Sequence, residues 1–261
     1  MHSVADPLEL LSLARRLADD AAALLRDALG HAHEVDTKSS VTDMVTAADR
    51  ASERLIVEGI RTARPDDAIL GEEGTADHGT SGVRWIIDPL DGTTNFLYGV
   101  PAFAVSIAAE VDGRVDAAAV VDVSRDECFT AARGYGARLG GSPLACSEAT
   151  DLATALVATG FGYDPLRRAE QGMVVAALLP RVRDIRRFGA AALDLCWVAA
   201  GRVDAYYERG IQPWDRAAGA LVATEAGARL LVTDDGLTLA CAPGLFDPLR
   251  GLVDAKGAEP A

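Results

Sequence analysis

Cysteine is scarce in this chain, with four among 261 residues. Cys128, Cys146, Cys196 and Cys241 stand far apart, which excludes the close pairs of a zinc ribbon or a redox dithiol and leaves buried free thiols as their reading. Basic charge is also short: 25 Lys and Arg against 39 Asp and Glu give a formal net charge of -14. Nonspecific binding to a nucleic-acid backbone needs clustered Lys and Arg, so that class is excluded, and anionic membrane surfaces are disfavoured for the same reason. Most of the acids read as solvated, solubilising faces. No long apolar run opens the chain, because Asp6, Glu9, Arg15, Arg16, Asp19 and Asp20 interrupt the N-terminal pattern. Neither a signal-peptide core nor a membrane span is expected there, and the cytoplasm is the expected location. Internal repeats, low-complexity tracts and Pro/Ser-rich linkers are missing as well.

What is present is core-forming material. A chain of this length with 49% hydrophobic residues can bury one large domain or two packed halves. The expected organisation is a single domain over 1–261, with halves of about 1–143 and 144–261 meeting at a seam near 140–147. Leu8, Leu11, Ala14, Leu17, Ala18, Ala21, Leu25 and Ala28 recur at helical spacing before Gly30 and predict one long amphipathic helix. The polar stretch 31–43 predicts a mobile loop, followed by a second helix from near Thr46 through Ile60 that Pro65-Asp66 terminates. Short apolar runs at 68–70, 85–87, 104–111 and 115–123 predict strands. Asp112-Gly113 between the last two is a hairpin signal, so the sheet is at least partly antiparallel. After a turn-rich link over 134–142, strands near 155–159, 184–187 and 204–207 alternate with helices near 165–179, 190–200 and 214–226. Trp197, Leu193 and Val198 on the second of these read as core. Strands near 229–232 and 238–242 and a helix after Phe246 complete a layered mixture of helix and sheet.

The chemistry concentrates in Asp88-Pro89-Leu90-Asp91-Gly92-Thr93, directly after Trp85-Ile86-Ile87. Proline biases Asp88 toward an extended conformation and an end to the strand, and Gly92 permits a tight turn that lifts Asp91 beside it. Two carboxylates in one small volume repel and raise each other's pKa. A hard divalent cation resolves that conflict. Glu72, in Gly71-Glu72-Glu73, ends an apolar triplet as Asp88 does, at the carboxyl end of a strand where open sheets gather ligands. Asp215, in Trp214-Asp215-Arg216-Ala217-Ala218-Gly219, stands in the first turn of a helix, where an acid also suits the helix dipole without any ligand. Asp49 reads equally as a solvated helix acid, and Glu208 as a surface acid after Tyr207.

The ordered set Val45-Thr46-Ala47-Ala48-Asp49, GEE at 71–73, DPLDGT at 88–93, Asp204-Ala205-Tyr206-Tyr207-Glu208 and WDRAAG at 214–219 resembles the magnesium-dependent, lithium-sensitive inositol monophosphatase family over essentially the whole chain. The resemblance implies a mixed α/β fold, a five-layer α-β-α-β-α sandwich with the site between its halves, and a homodimer. It also implies two Mg²⁺ per subunit: Glu72, Asp88 and the Leu90 carbonyl hold one, and Asp88, Asp91 and Asp215 hold the other, with a third, looser ion near Glu72. Catalysis falls to Asp49, Thr93 and Glu72, with Thr93 and Asp49 orienting and deprotonating a metal-activated water for in-line attack. Gly92 and Thr93 N–H groups bind a phosphate oxygen, while Gly189, Ala191, Glu208 and Asp215 meet the alcohol. Where many relatives present Ser or Thr to the ring, this chain has Gly160-Phe161-Gly162, which leaves the alcohol open. Lys38 matches a lid lysine or is an ordinary solvated lysine.

The implied reaction is hydrolysis of a small phosphate monoester, inositol 1-phosphate foremost. Histidinol phosphate is the nearest alternative, with fructose bisphosphate and a 3'-phosphorylated adenosine nucleotide behind it. A separate reading is an interaction protein for RNA-processing or transcription machinery, with Arg181, Arg183, Arg186 and Arg187 as its surface, although a subunit contact or strand edge explains the same arginines. His31 and His33 read as solvated rather than metal-bound.

Overall fold

The computed structural model describes residues 5–29, 35–37 and 44–254, with the backbone alone at 35–37, 44 and 45. Helix α1 (Pro7–Ala28) begins where Asp6 caps the Leu8 N–H at 2.9 Å and Pro7 occupies the first turn; its buried face carries Leu10, Leu13, Leu17 and Leu25. Strands β1 (Val35–Thr37) and β2 (Met44–Thr46) pair antiparallel and lead into α2 (Ala47–Ala63), capped by Thr46. Part of the expected loop over 31–43 is thus strand β1, while His31, His33 and Lys38 lie outside the described residues.

The first sheet contains β3 (Ala68–Gly71), β4 (Ala76–Asp77) and β5 (Val83–Asp91). After the short helix α3 (Thr93–Tyr98) it continues with β6 (Ala104–Val111), β7 (Arg114–Asp122), β8 (Glu127–Ala132), β9 (Gly136–Leu139) and β10 (Ser142–Pro143). The strand order is β10-β9-β8-β7-β6-β5-β3-β4, with β3 and β5 its parallel pair. Beyond it come β11 (Leu156–Thr159), α4 (Pro165–Leu178), β12 (Asp184–Arg186), α5 (Ala191–Ala199), β13 (Ala205–Arg209), α6 (Pro213–Glu225), β14 (Arg229–Val232), β15 (Leu237–Cys241) and α7 (Phe246–Val253). The second sheet has the order β12-β11-β13-β15-β14, and β11 lies parallel to both of its neighbours.

Side-chain alternation decides what each sheet face covers. In β5, Trp85 and Ile87 pack with Leu17 and Ile56 of α1 and α2, whereas Ile86 points the other way, into the cluster of α5 and α6. In the second sheet Tyr206 and Ala240 join that same central cluster, while Tyr207, Leu239 and Cys241 face Leu178 of α4 and Leu249 of α7. The layers therefore run α1/α2, first sheet, α5/α6, second sheet, α4/α7, the five-layer sandwich expected. The four cysteines are free; Cys196 and Cys241 are buried, Cys128 and Cys146 only partly so. Among the described residues no helix is long and apolar enough to cross a membrane.

Two local expectations are revised. The strand does not stop at Asp88. It continues through Pro89 to Asp91, because Asp88 faces Ser106 and Asp91 faces Ala104, so that Pro89 and Leu90 together oppose Val105 in a bulge where proline's missing N–H breaks no ladder bond. The link over 134–142 carries β9 and β10, which are too short for period-two alternation to show between the glycines that bound them.

The central layer is tight. A Cβ on Gly219 of α6 would stand 2.7 Å from the Leu195 Cβ and 2.9 Å from the Ala192 carbonyl of α5. Gly219→Ala is therefore expected to lower stability by about 1–3 kcal/mol despite alanine's better helix propensity. Urea denaturation reads this directly, and an unchanged midpoint would show that α5 can move aside.

Candidate metal centre

The β5 bulge sets the first two acids. The Asp88 carboxylate accepts the Leu90 N–H at 3.0 Å, which fixes it at the strand end. Asp91, beyond the bulge, accepts the Ala192 N–H at 2.7 Å. Helix α5 has alanine at its N-cap and no capping side chain of its own. Asp91 supplies that cap from the other half of the chain, complementing the positive end of the helix. Gly92 then turns the backbone at φ 91°, and a Cβ there would stand 2.9 Å from the Ala102 carbonyl, so glycine is required on both counts.

Parallel pairing of β3 with β5 brings in the third acid. The Glu72 N–H donates to the Ile87 carbonyl at 3.2 Å, and the Glu72 and Asp88 side chains share a hydrogen bond. Asp215 accepts the Gln212 N–H at 2.6 Å and completes a capping box at the start of α6. The capping reading of Asp215 is thus correct, and it also aims the residue at the same place as the others.

That place is a cavity of ≈ 520 Å³ between the two halves. Glu72, Asp88, Leu90, Asp91, Gly92 and Thr93 border it from the first half, and Gly189, Ala191, Glu208 and Asp215 from the second. Asp49 stands one layer back. The Thr93 hydroxyl lies 2.9 Å from the Asp49 carboxylate and 3.1 Å from the Leu90 carbonyl, each within donating distance, and buried Asp49 also accepts the Thr46 N–H at 2.9 Å and the Thr46 hydroxyl.

Burial, and then the charges of Glu72, Asp91 and Asp215, push Asp88 well above the ordinary carboxylate range. Asp91 is raised by burial and by Asp215, against the opposing Ala192 N–H. Burial lifts both Asp215 and Glu208 to about 7. Among the described residues, Asp88, Asp91 and Asp215 form no ion pair, so protons or a cation must relieve their repulsion. The carboxylates line the chamber without closing on one point: among the described residues no three or more His, Cys, Asp or Glu side chains form a ready-made ion cage. The fit to a metal rests on the donor set. It is all oxygen, strongly anionic and buried, with no His or Cys, which suits a hard divalent ion and not zinc.

Carboxyls whose folded pKa lies above the unfolded value near 4 hold protons that the unfolded chain releases. Their contribution is complete below about pH 4 and is lost as pH rises through about 7, the value reached by Asp215 and Glu208. In chelator the unfolding midpoint should fall between pH 5 and 8, and Mg²⁺, which would bind the deprotonated set, should restore more stability at pH 8 than at pH 5. Thermal unfolding at the two pH values, with and without Mg²⁺, checks both signs.

Sequence reasoning missed several supporting residues. The Ser52 hydroxyl donates to the Pro89 carbonyl at 2.9 Å, and the Glu53 carboxylate accepts the Glu73 N–H at 2.8 Å and the Thr75 hydroxyl at 2.6 Å. Their signal is present but inverted, since Asp49, Ser52 and Glu53 occupy the same buried face of α2 as Ile56 and Ile60, where amphipathic patterning asks for apolar residues. The arginine cluster is dispersed: Arg186 pairs with Asp184 at 2.6 Å, Arg183 donates to the Thr154 carbonyl at 2.7 Å, and Arg187 borders the cavity described above. Gly160 also has a reason, because a Cβ there would fall 1.8 Å from the Glu208 carboxylate.

The profile described as the inositol monophosphatase family matches residues 6–258. The inositol-1-monophosphatase SuhB of Mycobacterium tuberculosis (strain H37Rv) is 45% identical, covering 98% of this chain and 97% of the relative. The Nus factor SuhB of Escherichia coli K12 is 47% identical over 74% of this chain and 73% of its own. The crystal structure of the extragenic suppressor protein suhB from Bartonella henselae matches with a TM-score of 0.90 at 35% identity, covering 95% of this chain and 99% of that one. The chain belongs to the inositol monophosphatase family and is a phosphoric monoester hydrolase.

Proposed function

We propose that the protein hydrolyses inositol 1-phosphate or a closely similar small phosphate monoester with Mg²⁺ as its cofactor. The observation that carries this reading is the convergence of Glu72, Asp88, Asp91 and Asp215, from both halves, on one chamber beside the Thr93–Asp49 pair. Glu72, Asp88 and the Leu90 carbonyl would hold one ion, and Asp88, Asp91 and Asp215 a second, with room for a looser third near Glu72. Such ions supply neutralisation of the phosphate charge, a more acidic attacking water and stabilisation of the leaving alkoxide.

The residues do the positioning. With its proton directed at Asp49, the Thr93 oxygen turns a lone pair to the chamber, so it can orient the attacking water and relay that water's proton to Asp49. Glu72, directly after β3, would border the same water. The Gly92 and Thr93 N–H groups, at the start of α3, face a phosphate oxygen. On the alcohol side, Glu208 accepts hydrogen bonds from ring hydroxyls, with Asp215 and the backbone of Gly189 and Ala191 beside it. The Tyr206 hydroxyl holds Glu208 at 2.8 Å over Gly160, so a Ser or Thr at 160 would displace the very carboxylate that reads the ring. Inhibition by lithium, a homodimeric state and a cytoplasmic location complete the reading.

Phosphate release from inositol 1-phosphate, histidinol phosphate, fructose bisphosphate and adenosine 3',5'-bisphosphate tests it. Inositol 1-phosphate should lead in kcat/KM; histidinol phosphate ahead of it would reassign the substrate and leave the metal chemistry intact. A second reading draws on the name Nus factor carried by the Escherichia coli relative. Charge reversal of Arg181, Arg183 and Arg186, which leaves the cavity-lining Arg187 in place, should disrupt a protein complex while sparing phosphate release if that reading holds.

A further inference from the structure

One buried face of α2 touches the segments that carry three of the four acids. Asp49 accepts the Thr93 hydroxyl at 2.9 Å, Ser52 grips the Pro89 carbonyl between Asp88 and Asp91 at 2.9 Å, and Glu53 collects the Glu73 and Thr75 N–H groups at 2.8 and 3.3 Å and the Thr75 hydroxyl at 2.6 Å. Burial of Ser52 and Glu53, at 0% and 5% exposure, gives no packing benefit that an alanine or leucine would not give better. Glu53 forms no ion pair among the described residues, so its charge is met by backbone and hydroxyl donors of the loop that begins with Glu72. The glycine of the GEE motif fits the same device: a Cβ on Gly71 would stand 2.6 Å from the Glu53 carboxylate.

We infer that Ser52 and Glu53 are positioning residues that set the affinity of the metal centre, Glu53 by aiming Glu72 and Ser52 by fixing the bulge between Asp88 and Asp91. The inference rests on the metal reading above. Outer supports of this kind change ion affinity about 10- to 100-fold when removed, because the ligands lose their preset orientation while their chemistry is unchanged. Glu53→Gln replaces one acceptor oxygen by an NH₂ group facing N–H donors, so it both loosens the loop and removes a charge behind Glu72. Ser52→Ala deletes the grip on Pro89, whereas Ser52→Thr keeps the hydroxyl and should rescue it. Gly71→Ala pushes on Glu53 from the other side, so its effect should be non-additive with Glu53→Gln.

The test is calorimetric titration of metal-free full-length protein with Mn²⁺, alongside Mg²⁺ activation curves and unfolding in chelator. Glu53→Gln and Ser52→Ala should bind Mn²⁺ about 10- to 100-fold more weakly and need correspondingly more Mg²⁺ for half-activation, with kcat at saturating Mg²⁺ within about threefold of the parent and Ser52→Thr close to the parent. Parent-like Mn²⁺ affinity in both variants, or a loss confined to stability in chelator, would overturn the inference. A parent protein that binds no divalent ion would instead overturn the metal reading on which it rests.

Discussion

Asp91→Asn is expected to leave the protein folded and to lower kcat/KM for inositol 1-phosphate by on the order of 10³-fold or more, because the proposed second ion would lose an anionic ligand and with it the several kcal/mol of charge stabilisation it would give. The substitution is selective because Asp91 does two things at once. Its hydrogen bond from the Ala192 N–H caps α5 across the two halves, and an asparagine oxygen can accept that same bond. The charge is lost, and the second carboxylate oxygen becomes an NH₂ group that cannot ligate a cation. Removing the charge also relieves the repulsion with Asp215, so unfolding in chelator should be at least as resistant as in the parent. Near-parent turnover in this variant would show that Asp91 is a helix cap and nothing more.

The second large effect separates proton handling from ion binding. Asp49→Asn keeps the size of the side chain but offers Thr93 an N–H where a carboxylate oxygen had been, which reverses the direction of the bond, sends the Thr93 proton to the Leu90 carbonyl 3.1 Å away and removes the proton acceptor. Loss of a positioned proton acceptor costs about 10²- to 10⁴-fold in rate. The drop should fall on kcat, with KM and Mn²⁺ affinity little changed, because Asp49 does not border the cavity. Thr93→Ala should give a similar kcat loss, and the double variant should lose no more than either alone if the two act as one unit. Additive losses would mean that Thr93 and Asp49 serve separate steps.

How much of this was legible in the chain depends on the length scale of each signal. Helices α1 and α2 repeat their apolar spacing over enough residues to be read, α5 and α6 show as runs of small and apolar residues buried along their length, and Asp112-Gly113 marks the β6–β7 hairpin. The continuation of β5 through Pro89 was not readable, because a proline forbids a regular strand and only the opposing Ala104–Ser106 register reveals the bulge. Strand β9 is short and lies among glycines, so the tertiary ladder defines it more than its own sequence does, and β8 (ECFTAA) mixes polar and small residues with only Phe129 as a large apolar signal. At the site, Glu72, Asp88 and Asp91 announce themselves at strand ends, but that Asp215 and Glu208 border the same chamber is a property of the sandwich and was carried by family resemblance alone. Ser52 and Glu53 are not legible for a physical reason: patterning treats a polar residue on a buried helix face as noise, and here it marks the side of the helix turned to the strand ends that carry Glu72, Asp88 and Asp91.

The central claim is that four carboxylates from both halves gather ions without which the ester is not split. The most direct measurement follows phosphate release from inositol 1-phosphate by protein stripped of divalent ions, first in chelator and then on adding back Mg²⁺. No release above background is expected in chelator and full recovery as Mg²⁺ saturates, with Asp88→Asn, which lacks the carboxylate that would serve both ions, failing to recover at any Mg²⁺ concentration. Undiminished release in chelator, or a recovered Asp88→Asn variant, would contradict that claim.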